Sequence, residues 1–267
     1  MTGLVPLQST RLPPYTGLST LRVATYNIHK GVRGLGPRKR LEIHNLGLAV
    51  EALDADLVFL QEVRLFHHRE ARRFDRTHFG WPAQGQAEFL APEGYEVAYR
   101  TNAVTRGGEH GNALLSRWPM GDVGHQHEDM SDHRFEQRGL LHSELLVHGR
   151  TIHVVVVHLG LIRASRERQV AQLQRFIGRE VPVDAPLLVA GDFNDWGVMV
   201  QRELASVGLQ AFKGVRQATF PARFPLVQLD HVFSRGLQPM GLHVPRGRIW
   251  WRMSDHLPLI AEFGLAD

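Results

Sequence analysis

The stretch from Gly139 to Leu159, GLLHSELLVHGRTIHVVVVHL, decides the fold. Two apolar runs, at 139–147 and 151–159, flank His148-Gly149-Arg150. Val, Leu and Ile dominate both runs, as in buried strands, and a glycine-centred connection this short makes a tight hairpin. The two runs therefore pair antiparallel. A plain doubly wound parallel sheet fits poorly, because each parallel neighbour needs a long crossover. Working outward, further strand-like runs are LRVATY at 21–26, DLVFLQ at 56–61, YEVAYR at 95–100, NALLS at 112–116, APLLVAG at 185–191, LDHVFS at 229–234 and LPLIAEF at 257–263. Helical periodicity lies between some of them. Ile43, Leu46, Val50 and Leu53 share one helix face, and Val170, Leu173, Phe176 and Ile177 share another. A third helix is expected from Val198 to Val207. Many strands, some in hairpins, with a few amphipathic helices predict two packed sheets with helices outside.

The 267 residues are 43% hydrophobic, enough for one large core. No Gly/Ser-rich or Pro-rich linker, fixed-period repeat or low-complexity tract divides the chain, so one domain is expected over 21–267. The turn-rich residues 1–20 read as an N-terminal arm. The chain has no cysteine, which excludes disulfides and thiolate metal sites. No apolar run approaches the ~20 residues of a membrane span, and no basic-then-apolar leader opens the chain. The expectation is a cytoplasmic protein. Net charge is +4, and only Lys30, Lys39 and Lys213 of the 31 basic residues are lysines. Arginine suits bidentate phosphate recognition, while a modest charge excess is also what a solvated surface looks like.

The polar chemistry gathers where apolar strands end or begin. Asn27 follows LRVATY, Gln61-Glu62 follow DLVFL, and His158 follows TIHVVVV. Asp192 and Asn194 follow LLVAG, Asp230-His231 lie in the run that begins at Leu229, and Ser254-Asp255-His256 precede LPLIAEF. One such residue is ordinary turn chemistry. Repetition at six strand ends, in groups that bind hard cations or move protons, is not. Glu62, Asp192 and Asp255 offer the hard oxygens that Mg²⁺ or Mn²⁺ prefers. Asn27 and Asn194 can bind metal or donate to an anion. His158 and His256 can act on protons near neutrality, and Asp230 can fix the tautomer of His256. Cysteine catalysis is excluded, and no Gly-x-Ser-x-Gly elbow supports a serine nucleophile.

The ordered segments TYNIHKG, DADLVFLQEV, HGNALLSRWP, VVVVHLG, LVAGDFNDW, LDHVF and MSDHLPL resemble those of the endonuclease/exonuclease/phosphatase superfamily. The resemblance runs from about Leu21 to Phe263 and is strongest to small bacterial members. It implies a four-layer α/β/β/α sandwich and a Mg²⁺-dependent (or Mn²⁺-dependent) phosphoric ester hydrolase. It further implies Glu62 as principal metal ligand, with Asn27 beside it and Asp255 completing the site. Asp192 would orient or deprotonate the attacking water, and Asn194 would hold a phosphoryl oxygen. His256, steered by Asp230, would act as base or stabilise the transition state, and His158 would bond the phosphate. The proton acceptor stays open between Asp192 and His256. The expected substrate is a phosphodiester, first a nucleic acid, with a phospholipid or small phosphoester as the alternative and a non-catalytic phosphate-binding protein as a remote one.

Where several nuclease members carry a second carboxylate, this chain has His29 followed by Lys30, which leaves the number of metals open. His29, His110 and Asn112 are candidates for substrate contact. The segment His125-Gln126-His127-Glu128 with Asp132-His133 reads as a polar loop. Trp250-Trp251 read as packing at the sheet edge for at least one ring, or as a substrate wall. The arginines at 69, 72, 73, 76, 163, 166 and 168 read as solvated faces. Asp195 reads as the cap of a helix starting near Trp196.

Overall fold

The computed structural model describes residues 19–121, 126–131, 137–212, 214 and 216–265. Its strands are β1 (Ser19–Asn27), β2 (Val32–Arg33), β3 (Arg40–Leu41), β4 (Leu57–His67), β5 (Glu96–Thr105), β6 (Gly108–Ser116), β7 (Gln126–Asp129), β8 (Gly139–Val147), β9 (Arg150–His158), β10 (Leu187–Asp192), β11 (Asp230–Arg235), β12 (Gln238–His243) and β13 (Leu259–Leu265). The helices are α1 (Ile43–Leu53), α2 (His68–Arg73), α3 (Gln86–Leu90), α4 (Arg163–Glu180), α5 (Met199–Ala205) and α6 (Trp250–Met253).

One sheet has six strands in the order β12-β13-β1-β4-β6-β5, and the other has five in the order β11-β10-β9-β8-β7. Both are mixed, and both have the same logic. Each contains one parallel pair, β1 with β4 and β9 with β10, and every other neighbour is antiparallel. Helix α1 bridges the first parallel pair and α4 the second, as a parallel connection requires. The hairpin that decides the fold joins β8 to β9, and its turn residues His148 and Gly149 both have positive φ, the signature of a two-residue hairpin turn.

Alternation along the strands divides the core. Leu141, Leu145, Val154, Val156, Leu188 and Ala190 pack toward the first sheet, in one cluster with the buried face of α1. Leu140, Val155, Val157, Leu187 and Val189 pack instead under Val170, Leu173, Phe176 and Ile177 of α4. The layers are therefore helix, sheet, sheet, helix. Burying each large aliphatic side chain contributes roughly 1.5–3 kcal/mol, so the double-sided burial of β9 and β10 explains why their sequences are almost continuously apolar.

Residues 126–129 and Arg166 depart from expectation. Residues 126–129 are an edge strand rather than a free loop, with Glu128 paired to Arg179 at 2.7 Å. His125, Asp132 and His133 lie outside the described residues, as does the expected arm before Ser19. Arg166 is buried and donates to the Gly160 and Leu161 carbonyls rather than facing solvent. Arg73 is exposed, as expected, and donates to the Gly36, Pro37 and Lys39 carbonyls. Trp250 is buried in the core, while Trp251 is half-buried beneath the guanidinium groups of Arg33 and Arg223. Among the described residues no helix is long and apolar enough to cross a membrane.

Candidate active site

The carboxyl ends of the two parallel pairs meet, which is where ligands bind open α/β sheets. β1 ends at Asn27 beside Gln61 of β4, and β9 ends at His158 beside Asp192 of β10. Local backbone chemistry then aims the side chains. A bulge interrupts β4 between Leu60 and Val63, and Glu62 within it has φ of 57°. The bulge sends Glu62 to the mouth, whereas Gln61 stays buried, bonded to Thr25 and the Phe59 carbonyl. His29, Lys30 and Asn194 are also non-glycine residues at positive φ, a costly conformation that gathers at functional sites. Gly191 has φ of 154°, and a Cβ there would lie 1.9 Å from the Val157 carbonyl oxygen. Only glycine lets β10 approach β9 closely enough to set Asp192 against His158.

Asp192 is the hub. Its Oδ2 accepts from Asn27 Nδ2 at 3.0 Å and lies 3.6 Å from the Nε2 atoms of both His158 and His256. Its Oδ1 accepts the Asn194 N–H at 3.0 Å. Asp230 Oδ2 lies 2.8 Å from His256 Nδ1, and the Phe220 ring packs on His256 with centroids 5.0 Å apart. Ser254 Oγ donates to the Asn27 carbonyl at 2.7 Å, tying the segment before β13 to the end of β1. Beside this hub, Lys30 Nζ lies 2.9 Å from Glu62 Oε2. His29 Nδ1 lies 3.3 Å from Asp255 Oδ1 and 4.0 Å from Glu62 Oε2. The two carboxylates thus converge on one imidazole nitrogen.

The electrostatics follow from burial and partners. Burial raises the Asp192 carboxyl toward neutrality, against the opposing pull of His256. Burial alone would lower His256, but Asp230 and Asp192 outweigh it and hold the imidazole charged well above its ordinary range. Burial, with Arg138 nearby, pushes His158 well below, so that ring is neutral. Burial works to raise Glu62 and Asp255, yet the Lys30 charge on the first and the His29 hydrogen bond on the second hold both ionised. Burial pushes His110 down to about 4.

The structure brings Asn27, His29, Glu62, His158, Asp192, Asn194, Asp230, Asp255 and His256 together. Asn194 Nδ2 is engaged by the Leu159 carbonyl at 2.9 Å, which fixes the loop after β9. His110 lines a cavity of about 300 Å³ with His29, Lys30, Arg64 and His67, beside the hub. Asn112 lies deeper: it is fully buried and donates to the Gly139 and Val156 carbonyls, bridging the sheets. Asp195 accepts from the N–H groups of Gly197 and Val200 and so caps α5, which starts at Met199 rather than near Trp196. Lys30 has no role in the sequence pattern alone; its signal is that it is one of only three lysines in the chain.

The pattern of the endonuclease/exonuclease/phosphatase family matches residues 24–256. The chain belongs to this family. Its members are generally metal-dependent phosphoesterases that hydrolyse phosphoric esters. The chain is 36% identical over 263 residues to the uncharacterised protein YbhP of Escherichia coli K12, spanning 95% of this chain and all of that protein. A family structure from Beutenbergia cavernae superposes with a TM-score of 0.73 at 22% identity, covering 92% of this chain and 72% of that one. D. rerio TDP2 complexed with single-strand DNA product superposes with a TM-score of 0.62 at 17% identity, covering 92% of this chain and all of that one. These likenesses carry the fold, and the two mixed sheets with outer helices match it.

Proposed function

We propose that this family member is a Mg²⁺-dependent or Mn²⁺-dependent phosphodiesterase acting on nucleic acid. The observation that carries the chemistry is Asp192, buried and within 3.6 Å of two histidine nitrogens, beside the convergent carboxylates of Glu62 and Asp255. That donor set fits a hard dication: two ionised carboxylates held close, with Lys30 against Glu62 and a His29 hydrogen bond on Asp255. Glu62 and Asp255 would hold the cation. When bound, it would neutralise charge that develops on the non-bridging phosphoryl oxygens.

The chain's own residues supply the rest. Asp192 has the raised basicity and the reach to take the proton of the attacking water. Asn27 holds its Oδ2 in place. His256, kept cationic by Asp230, donates from Nε2 to a phosphoryl oxygen, and neutral His158 donates a second hydrogen bond. The water oxygen bonds to phosphorus, and the ester oxygen leaves with the bonding pair. One such preorganised donor is commonly worth about 3 kcal/mol.

A nucleic acid is favoured by the turn after Phe220. The Arg223 guanidinium lies 5.4 Å from the ring centroids of both Phe224 and Trp251, and Ala222 N donates to the Asp255 carbonyl at 2.7 Å. Aromatic rings interleaved with arginine beside a phosphate site form a stacking platform for bases. A lipid substrate is the second reading, favoured by exposed Leu161, Ile162, Trp196, Phe224 and Leu226 on the loops that carry the site residues. Purified protein with Mg²⁺ or Mn²⁺ is offered plasmid, abasic DNA, RNA, phospholipid vesicles and bis-p-nitrophenyl phosphate. Metal-dependent cleavage of a polynucleotide is expected. Turnover of lipid without any polynucleotide would overturn the nuclease reading.

A further inference from the structure

A second constellation lies on the other face of the second sheet, away from the hub. His142 and Glu144 alternate along β8, and His153 stands directly opposite Glu144 on β9. All three side chains therefore share the face that packs under α4. His153 is five residues before His158 on the same strand, roughly 16 Å from the catalytic end at ~3.3 Å per residue.

We propose that His142 Nε2, His153 Nδ1 and Glu144 Oε1 form a binding site for a transition-metal dication of the Zn²⁺ type. The two imidazole nitrogens share a hydrogen bond of 3.1 Å, which a bound ion would replace with a change of tautomer, and His153 Nδ1 is 3.8 Å from Glu144 Oε1; all three donor atoms lie within 4.8 Å of one another. Bonds of about 2.0–2.1 Å at the tetrahedral angle put ligand atoms ~3.3 Å apart, so the cluster needs only small side-chain rotations to close on one ion. The carboxylate is beyond hydrogen-bond range of the imidazole, which leaves it available to a cation.

The surroundings hold the rings ready. Their planes are within 2° of parallel, and the Phe176 ring meets His142 edge-on at 5.5 Å. The His153 backbone N–H donates to the Pro186 carbonyl, fixing the strand. Both histidines are buried, and burial keeps both imidazoles neutral, the form that ligates. Glu144 is partly exposed, so the site opens to water on its side, leaving a fourth position for solvent. Two imidazoles with one carboxylate favour Zn²⁺ or Co²⁺ over Mg²⁺, which prefers oxygen alone. The site is separate from the phosphodiesterase centre, so its failure would leave that reading untouched.

The test uses the untagged full chain, stripped with chelator, in a Glu62→Gln/Asp255→Asn background that removes the two carboxylates proposed to hold the catalytic cation. Titration with Zn²⁺ is expected to show one equivalent bound, and Co²⁺ to give the intense visible absorption of a tetrahedral centre. Adding His142→Asn is expected to abolish both. Adding Glu144→Gln, at a partly exposed position, is expected to weaken Zn²⁺ by at least the roughly 10–100-fold that losing a group hydrogen-bonded to a metal ligand costs. No Zn²⁺ bound in the background protein, or unchanged affinity in Glu144→Gln, would overturn the proposal.

Discussion

Replacing Asp230 by Asn removes a charge while keeping a side chain of the same shape. Asp230 is fully buried, and its Oδ1 has no hydrogen-bond partner among the described residues. Its charge is relieved through Oδ2, 2.8 Å from His256 Nδ1. A charge-assisted hydrogen bond of this kind contributes about 1.5–3 kcal/mol. If His256 must be cationic and correctly turned in the transition state, that energy is lost from the barrier. At 1.36 kcal/mol per tenfold, the rate falls about 10- to 150-fold. The fall belongs in kcat, since Asp230 does not reach the substrate. Steady-state hydrolysis of bis-p-nitrophenyl phosphate at saturating Mg²⁺ measures it, with circular dichroism confirming the fold. A kcat within twofold of wild type would refute the coupling of Asp230 to His256.

Other outcomes follow from the same geometry. Gly191→Ala is expected to cost several kcal/mol in urea denaturation and to silence activity. The new Cβ would meet the Val157 carbonyl at 1.9 Å and force apart the strands that carry His158 and Asp192. Asp195→Ala, which frees the Gly197 N–H and the Val200 N–H in the first turn of α5, should cost about 1 kcal/mol. That lowers Tm by roughly 2–4 °C and leaves kcat unchanged. In chelator-treated protein, the buried His142, pushed down to about 4, binds its proton more readily when unfolded. Its contribution is therefore present above its unfolded value near 6.5 and is lost as pH falls toward 4. At full extent this is about 3 kcal/mol, read as an acid loss of stability that His142→Gln reduces.

The parts of the fold that were legible in the sequence were those with dense local signals. The GLLHSELLVHGRTIHVVVVHL hairpin states its own pairing, and the continuous apolar runs of β9 and β10 announce burial on both faces. Helices α1 and α4 show their apolar stripes. By contrast, β12 (QPMGLH) and β7 (QHED) are edge strands, held by backbone bonds to one neighbour and lacking an apolar pattern. The strand-end residues of the candidate site stood out because turn chemistry does not explain so many at once, and the structure brings them to one mouth. The bulge that turns Glu62 outward and Gln61 inward was not, since both are polar and adjacent. Nor was the Lys30 pairing, which depends on two left-handed residues in succession. The inward position of Asn112, read as a candidate for substrate contact, was equally hidden, because its acceptors, the Gly139 and Val156 carbonyls, belong to the second sheet.

In the proposed phosphodiesterase, Asp192 is the residue on which divalent-dependent hydrolysis turns. The direct measurement is single-turnover hydrolysis of plasmid DNA and bis-p-nitrophenyl phosphate by wild-type and Asp192→Asn protein, each with Mg²⁺ and with chelator. Cleavage is expected only with metal, with a loss of about 10²–10⁴-fold in the variant, as for removal of a general base. Equal rates for the two proteins, or hydrolysis unaffected by chelator, would contradict it.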